Sequence, residues 1–397
     1  MGINKMRKKS ILSLMIWIAL SNINCEKSPS VKTERIDGIQ HVYNTEEPIQ
    51  GRISLNAVEL IRIDPFDIDR DNPPLFEMAV RDDTGNLYLA DSGNVKVYKL
   101  DSGGKLIAQF LKKGQGPGEF PIFGDIQIAH GHIWIIGAWP MKIAKFTLDG
   151  EYVDEWMFRK FRNFYLRTRV ISEDRFLTVS YRDQPETLAR TRASAIIDSS
   201  EQFLTQFYEE KNAGIFRIRT WEEGPAIAAT SPLVAADIHH AYDRNTGTVY
   251  VCNNREYEIQ LKNADGTTRM VIHKAHKKII LGEDEKGSLL QSIAPRLPVE
   301  AKDQAKRQLP DTMNAILGIA VLPAGHLAVK RITGLESIEI DVFNRKGHFI
   351  FTILPSGNVP DLRNVIIFKN TIGIISELEE KNVFVEYRVN NMKGIFD

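Results

Sequence analysis

Residues 112–120, KKGQGPGEF, hold three glycines and a proline within five positions, which raises the question of phosphate binding. A phosphate-binding loop of this kind needs a Gly-Lys-Ser/Thr ending and a helix after it, and the sequence has neither here. Glycines also permit the positive φ angles of a tight chain crossing, and proline stiffens such a crossing. We therefore predict a structural connection, with Phe120 packed between the units that it joins.

Catalytic nucleophiles and metal ligands are the next groups that could do chemistry. The sequence has no Gly-x-Ser-x-Gly motif, and Cys252 ends the apolar run VYVC, where a buried structural thiol is expected. His239 and His240 are adjacent, so a strand would direct them to opposite faces and prevent joint chelation. We assign no catalytic residue, metal ligand or cofactor, although calcium or zinc bound by groups from several segments stays open.

The composition narrows the class of protein. Lys plus Arg and Asp plus Glu number 51 each among 397 residues, so the formal net charge is zero. That balance argues against nucleic acid as a partner, because affinity for nucleic acid comes mainly from neutralised phosphates. Two cysteines exclude a disulfide framework.

The N-terminus reads as a secretion signal. Lys5, Arg7, Lys8 and Lys9 form a basic region, and residues 11–20 form an apolar run about half as long as a membrane span requires. Cys25 follows this run and resembles the acylated cysteine of the bacterial lipobox, which implies export and a lipid anchor at the membrane; an ordinary signal peptide is the alternative. We therefore expect a signal peptide over 1–25, a flexible tether over 26–50, and a periplasmic or cell-surface location.

One unit of short strands and polar turns recurs six times. Its clearest copy is residues 78–110, MAVRDDTGNLYLADSGNVKVYKLDSGGKLIAQF. Four strands in about 40 to 50 residues is the size of a propeller blade. Two repeats are longer because of insertions at residues 209–235 and 277–314, and the second insertion predicts a short helix over 299–309. The first turns of the six copies lie at Gly85, Gly131, Asp174, Gly247, Gly325 and Asn370.

The sixth copy lacks its outer strand and would leave an open sheet edge. Residues 51–64, GRISLNAVELIRID, have strand character and precede the first copy. They are therefore predicted to complete the last unit and close the ring.

The runs GNLYLADSGNVKVY and GQGPGEF resemble NHL-type repeats and the bacterial six-bladed β-propeller lipoproteins built from them. This resemblance implies an all-β, six-bladed toroid with a central channel. We place the propeller at residues 51–391 and a tail at 392–397.

In such a blade, the loops between the second and third strands and the inter-blade crossovers emerge on one face. We expect the principal ligand or partner site on this face, because arginines mixed with aromatic rings suit planar anions and sugars. Ordinary polar loop tips are the alternative. The candidate ligand-binding residues are Asp91, Trp139, Tyr181, Arg182, Arg217, Trp221, Asn254, Arg255, Arg331 and Glu377.

Two functions remain open after these observations. The first is a non-enzymatic binding or scaffold module whose channel mouth takes a protein, a glycan or a small anionic ligand. The second is a propeller enzyme, such as a lactonase-like hydrolase, a lyase or a quinone-dependent sugar dehydrogenase, with a metal or cofactor in the channel. A fold of this kind hosts both, so the site must decide between them.

Overall fold

The structure is a computed structural model that describes residues 31–390, except 138–140, 159–164, 185–188, 212–215, 220–225, 230, 296, 358, 360, 369–370 and 379–380. Six sheets form its framework, and each contains the four antiparallel strands of one blade. In blades one to five these four strands are consecutive in the chain, and the sheets of blades four and five are extended by strands from the N-terminal segment. The predicted all-β, six-bladed propeller is confirmed.

In each of blades one to three, the four strands follow one another along the chain. Blade one has β5 (Met78–Arg81), β6 (Leu87–Asp91), β7 (Lys96–Leu100) and β8 (Leu106–Phe110). Blade two has β11 (Phe123–Ala129), β12 (His132–Gly137), β13 (Lys142–Phe146) and β14 (Tyr152–Met157). Blade three has β15 (Tyr165–Ser172), β16 (Arg175–Gln184), β17 (Ala189–Asp198) and β18 (Phe203–Lys211).

Blades four to six use the same order and add strands from the N-terminal segment. Blade four has β21 (Ile238–Asp243), β22 (Thr248–Asn253), β23 (Glu258–Lys262) and β24 (Thr268–Lys274). Blade five has β25 (Ile316–Val321), β26 (Leu327–Ile332), β27 (Ile338–Phe343) and β28 (Phe349–Leu354). Blade six has β29 (Val365–Ile367), β30 (Thr371–Leu378), β31 (Lys381–Val389) and, outermost, β4 (Ala57–Ile63).

The apolar core lies between neighbouring blades. Tyr88 and Val97 of blade one pack with Ile126 and Ile133 of blade two in one buried cluster. Each fully buried side chain of this size contributes about 1.5–3 kcal/mol, so the stability of each blade depends on contact with its neighbours. A ring that fails to close would leave two such faces in water.

The N-terminal segment, residues 32–63, straps the outer edges of three blades. Its hairpin, β1 (Lys32–Ile36) and β2 (Ile39–Asn44), adds to blade four through parallel pairing of β2 with β24. β3 (Arg52–Ser54) pairs in parallel with β28 of blade five, and β4 pairs antiparallel with β31 of blade six. The predicted closure of the last blade by the N-terminal strand is confirmed.

The strap corrects the prediction of a flexible tether over residues 26–50. Residues 32–44 form strands instead, because Val42 is buried in the blade-four core and the Asn44 side chain donates to the backbone oxygens of His273 and Gly347. Polar composition suggested a solvated chain here, yet these strands need burial on only one face.

The glycine-rich residues 112–120 connect blades one and two, as predicted. Their short strands, β9 (Lys112–Lys113) and β10 (Glu119–Phe120), pair in parallel, and Phe120 is buried. The amide of Gly116 donates to the carboxylate of Glu119, and that of Gly118 donates to Glu155. Since the chain's own carboxylates take these donors, the loop is not arranged to bind a phosphate.

The two insertions pack against each other. The helices α2 (Glu283–Ile293) and α3 (Val299–Gln308) share an apolar cluster with Leu233 and Val234, which end the first insertion. That first insertion also contains β19 (Phe216–Arg219) and β20 (Ala226–Ala229), and a four-residue helix, α1 (Pro65–Ile68), follows the strap. The insertions therefore lie together, as the sequence predicts.

Candidate functional site

A central channel with a cavity of about 630 Å³ runs between the six innermost strands. Residues of β5, β11, β15, β21, β25 and β29 all line it. A concave space of this size, bordered by a few charged groups among apolar ones, is typical of sites for small molecules. The charged groups therefore decide what it could hold.

Ion pairs between blades two, three and four form one side of the channel. Arg167 Nη2 lies 2.6 Å from Asp237 Oδ2, and Arg192 contacts the other oxygen of the same carboxylate. Arg169 Nη1 lies 2.6 Å from Asp125 Oδ2. Asp237 is buried, and although burial opposes it, the two arginines hold the pKa of its carboxyl below the usual value. The Arg169–Asp125 pair is neutral, whereas Arg167 and Arg192 share one carboxylate and leave a net positive charge on this side.

Two buried histidines lie beside these ion pairs. Burial lowers the pKa of both His239 and His240 to about 3, so both rings are neutral at ordinary pH. His240 Nε2 lies 2.7 Å from the backbone oxygen of Arg167, which makes Nε2 the protonated nitrogen and Nδ1 the acceptor. Nδ1 then accepts from Ser194 Oγ at 2.8 Å.

This Ser194–His240 contact has the geometry of a nucleophile beside its base. Ser194, however, is fully buried on β17, the third strand of blade three, away from the six innermost strands that line the channel. A substrate cannot reach its hydroxyl without disruption of the blade. The pair therefore stabilises the contact between blades three and four.

Lys330, on β26, is the exception to the pattern of paired cations. Its Nζ donates to the backbone oxygens of Arg363, at 2.6 Å, and Val365, at 3.2 Å, and it has no carboxylate in ion-pair contact among the described residues. Burial lowers its pKa to about 8, while Asp361 opposes the shift. A partly desolvated ammonium without a bound carboxylate is a ready site for an anion.

The structure gives structural roles to three of the residues predicted to bind a ligand. Asp91 is buried and accepts from the amides of Leu75 and Asn94, which fixes the loop after β6. Asn254 is fully buried, and its side chain bonds to the backbone of Asp237 and of the first insertion.

Arg331 neighbours Lys330 but turns to the interior of blade five. Its Nε lies 2.9 Å from Oδ2 of the fully buried Asp341, and its guanidinium also contacts Glu339. Since Asp341 depends on it, replacing Arg331 is expected to destabilise the protein, whereas the sequence suggested a free surface cation. Arg255 is exposed on the loop between β22 and β23 and stays available to a partner.

The remaining predicted residues cannot be placed at a site. Trp139 and Trp221 lie outside the described residues. The backbones of four others are placed in strands, without a description of their side chains: Tyr181 and Arg182 in β16, Arg217 in β19 and Glu377 in β30.

Sequence reasoning missed Arg167, Arg169 and Lys330, which line the channel, and Asp237, which pairs with Arg167. A signal for two of them was present, because Arg167 and Arg169 alternate in an innermost strand, where a polar residue must face a neighbouring blade or the channel. Lys330 had no such signal, since it adjoins Arg331 in a second strand, and only the three-dimensional arrangement separates their roles.

Within the described residues, no group of three or more His, Cys, Asp or Glu side chains is placed to hold a metal ion. No helix in the described part of the chain is long and apolar enough to span a membrane.

Known proteins share this architecture. Residues 77–170, which cover blade one, blade two and the start of blade three, match the model of the DUF5128 family. That family is a six-bladed β-propeller. No protein with a curated description matches the sequence significantly.

Several solved structures are similar to this chain. A member of the DUF4221 family from Bacteroides vulgatus is 8% identical, covers 84% of this chain and 97% of its own, and gives a TM-score of 0.50. A protein of Bacteroides fragilis described as a candidate exported protein is 11% identical, with coverages of 93% and 98% and a TM-score of 0.45. Virginiamycin B lyase from Staphylococcus aureus is 8% identical, with coverages of 83% and 98% and a TM-score of 0.40. At these identities the likeness concerns the fold alone.

Proposed function

We propose that this propeller is an exported binding protein that takes a small ligand with an anionic group into its central channel. The observation that carries the proposal is Lys330, a channel-lining ammonium that bonds only to backbone oxygens among the described residues. The nearby Arg167 and Arg169 add positive charge but are held by Asp237 and Asp125. Lys330 is therefore the group that gains most from an incoming anion.

Binding, and not catalysis, is the function that the channel supports best. A hydrolase needs an accessible nucleophile, and the Ser194–His240 pair is buried. A lyase needs a general base that its substrate can reach, and His239 and His240, which border the channel, are only 3% and 5% exposed. No observation supports an enzyme as strongly as Lys330 supports a binding protein.

The pH dependence of binding tests this proposal. A panel of acetate, succinate, glucuronate and inorganic phosphate is titrated into the protein by calorimetry. Because the pKa of Lys330 is about 8, we expect the affinity for the best anion to be constant below this value and to fall by up to about tenfold per pH unit above it. Lys330→Met should abolish binding, while the exposed-site control Lys105→Met should bind normally. Binding that is equally tight in the Lys330→Met variant contradicts the proposal.

Export and lipid anchoring complete the proposed function. Support comes from the basic and apolar N-terminal segments and from Cys25, all outside the described residues. Only residues 26–31 separate Cys25 from the strap on blade four. Six residues span at most about 20 Å, so an acylated Cys25 would hold the outer edge of blade four close to the membrane.

Replacing the proposed acylation site tests the anchor. We expect Cys25→Ser to move the exported protein from the detergent phase to the aqueous phase, because it removes the thiol that carries the lipid. Cys252→Ser is the control, since this buried thiol has no access to a lipid-transferring enzyme. Equal partitioning of wild-type and Cys25→Ser proteins would show that no anchor is attached there.

A further inference from the structure

A second cavity, of about 360 Å³, opens beside the channel between blades one, five and six. Glu77, Lys330, Val365 and Ile366 line both spaces. The two cavities are therefore joined, and a ligand that meets Lys330 from the channel also meets this side pocket. Besides the positive charge of Lys330, the side pocket contains a negative charge.

Glu77 supplies that negative charge. It directly precedes β5 and is exposed to the cavity. Its Oε2 accepts from the amide and hydroxyl of Ser92, which fixes the carboxylate in place. Its other oxygen, Oε1, has no protein donor among the described residues, so one acceptor remains for a ligand.

The two charges of the side pocket do not neutralise each other. Lys330 donates to backbone oxygens, and neither Glu77 nor Lys330 has an ion-pair partner among the described residues. Two fixed charges of opposite sign in one cavity, each without a counter-ion, are complementary to a molecule that carries both signs.

The remaining walls suit a small organic molecule. Asn364 and Asn382 provide amide groups, and Phe76 and Ile375 provide apolar surface. The side pocket is large enough for a molecule of amino-acid size but small beside the channel, so the rest of a longer ligand would lie in the channel.

We infer that the side pocket binds the zwitterionic head of an α-amino acid, with the carboxylate at Lys330 and the ammonium at Glu77. This inference rests on the proposed function, because Lys330 is the anion-binding group in both. It adds a second requirement, a cationic group on the ligand, that the proposed function does not contain.

Matched ligands separate the two ideas. Calorimetric titrations use alanine and phenylalanine, their N-acetyl forms, which lack the ammonium, and their amides, which lack the carboxylate. We expect at least one parent amino acid to bind at least tenfold more tightly than either of its derivatives. An N-acetyl form that binds as tightly as its parent would overturn the zwitterion but leave the anion site standing. Absence of binding by every compound and by the anion panel would overturn both.

Variants assign the two ends of the ligand. Glu77→Gln should weaken binding of the parent amino acid at least tenfold and leave binding of the N-acetyl form unchanged, since only the ammonium contact is lost. Glu151→Gln, at an exposed hairpin, is the matched control. Circular dichroism and melting curves establish that each variant is folded. If Glu77→Gln weakened binding of the parent and of the N-acetyl form equally, Glu77 would not be the group that contacts the ammonium.

Discussion

Deletion of residues 52–63 is expected to abolish cooperative unfolding and to leave an oligomeric or aggregated protein. This segment contains β3 and β4, and β4 pairs with β31 from Ala57 to Ile63. Its loss exposes the edge of β31 and part of the interface between blades six and one, where Ile63 packs with Phe76 and Phe384. An open strand edge with apolar neighbours is a template for association.

The adjoining hairpin offers a matched control for this deletion. Residues 32–44 form β1 and β2, which add to the already complete blade four. We expect deletion of residues 32–44 to lower the melting temperature, because Val42 and the Asn44 hydrogen bonds are lost, but to keep a monomer with one cooperative transition. Calorimetry and light scattering measure both. A monomeric, cooperatively unfolding protein without residues 52–63 would show that β4 does not close the ring.

Asp341→Asn is expected to lower the free energy of unfolding by about 3–5 kcal/mol, because it leaves buried cations without their counter-ion. The carboxylate is fully buried between blades four and five. It lies 2.9 Å from Arg331 Nε and 3.5 Å from Lys274 Nζ, and it accepts from Tyr257 at 2.7 Å. Burial holds the pKa of Lys274 below its usual value, and Asp341 opposes that shift.

Denaturant unfolding measures this effect against an exposed ion pair. Glu256→Gln removes the partner of Lys278, where both side chains are more than half exposed. Pairs of that kind contribute about 0–1 kcal/mol to stability. The free energy of unfolding should therefore fall several times more in Asp341→Asn than in Glu256→Gln. If Asp341→Asn costs no more than Glu256→Gln, the buried network does not hold blades four and five together.

Turn spacing and strand alternation were enough to predict the six blades, and a missing outer strand was enough to predict closure by residues 51–64. These features are local or follow from the need to pair every edge. The hairpin over residues 32–44 was missed because its polar strands need only one buried face, and its partner, β24, lies more than two hundred residues away in the sequence.

The site could be predicted far less well from the sequence. The loop rule could not separate Arg331, which pairs with the buried Asp341, from Lys330, which faces the channel. The two are neighbours on β26, and successive side chains in a strand point to opposite faces. Packing between blades determines which of the two side chains reaches the buried Asp341, and sequence periodicity gives no information on that packing.

The central claim is that Lys330 receives the anionic group of a ligand in the channel. A pH titration of ¹³C-dimethylated Lys330 by NMR tests it most directly, in the free protein and in protein saturated with the best carboxylate of the panel. We predict a pKa of about 8 in the free protein and a clear rise on saturation, because a bound carboxylate stabilises the charged form. An unchanged Lys330 pKa in the saturated protein would contradict the claim.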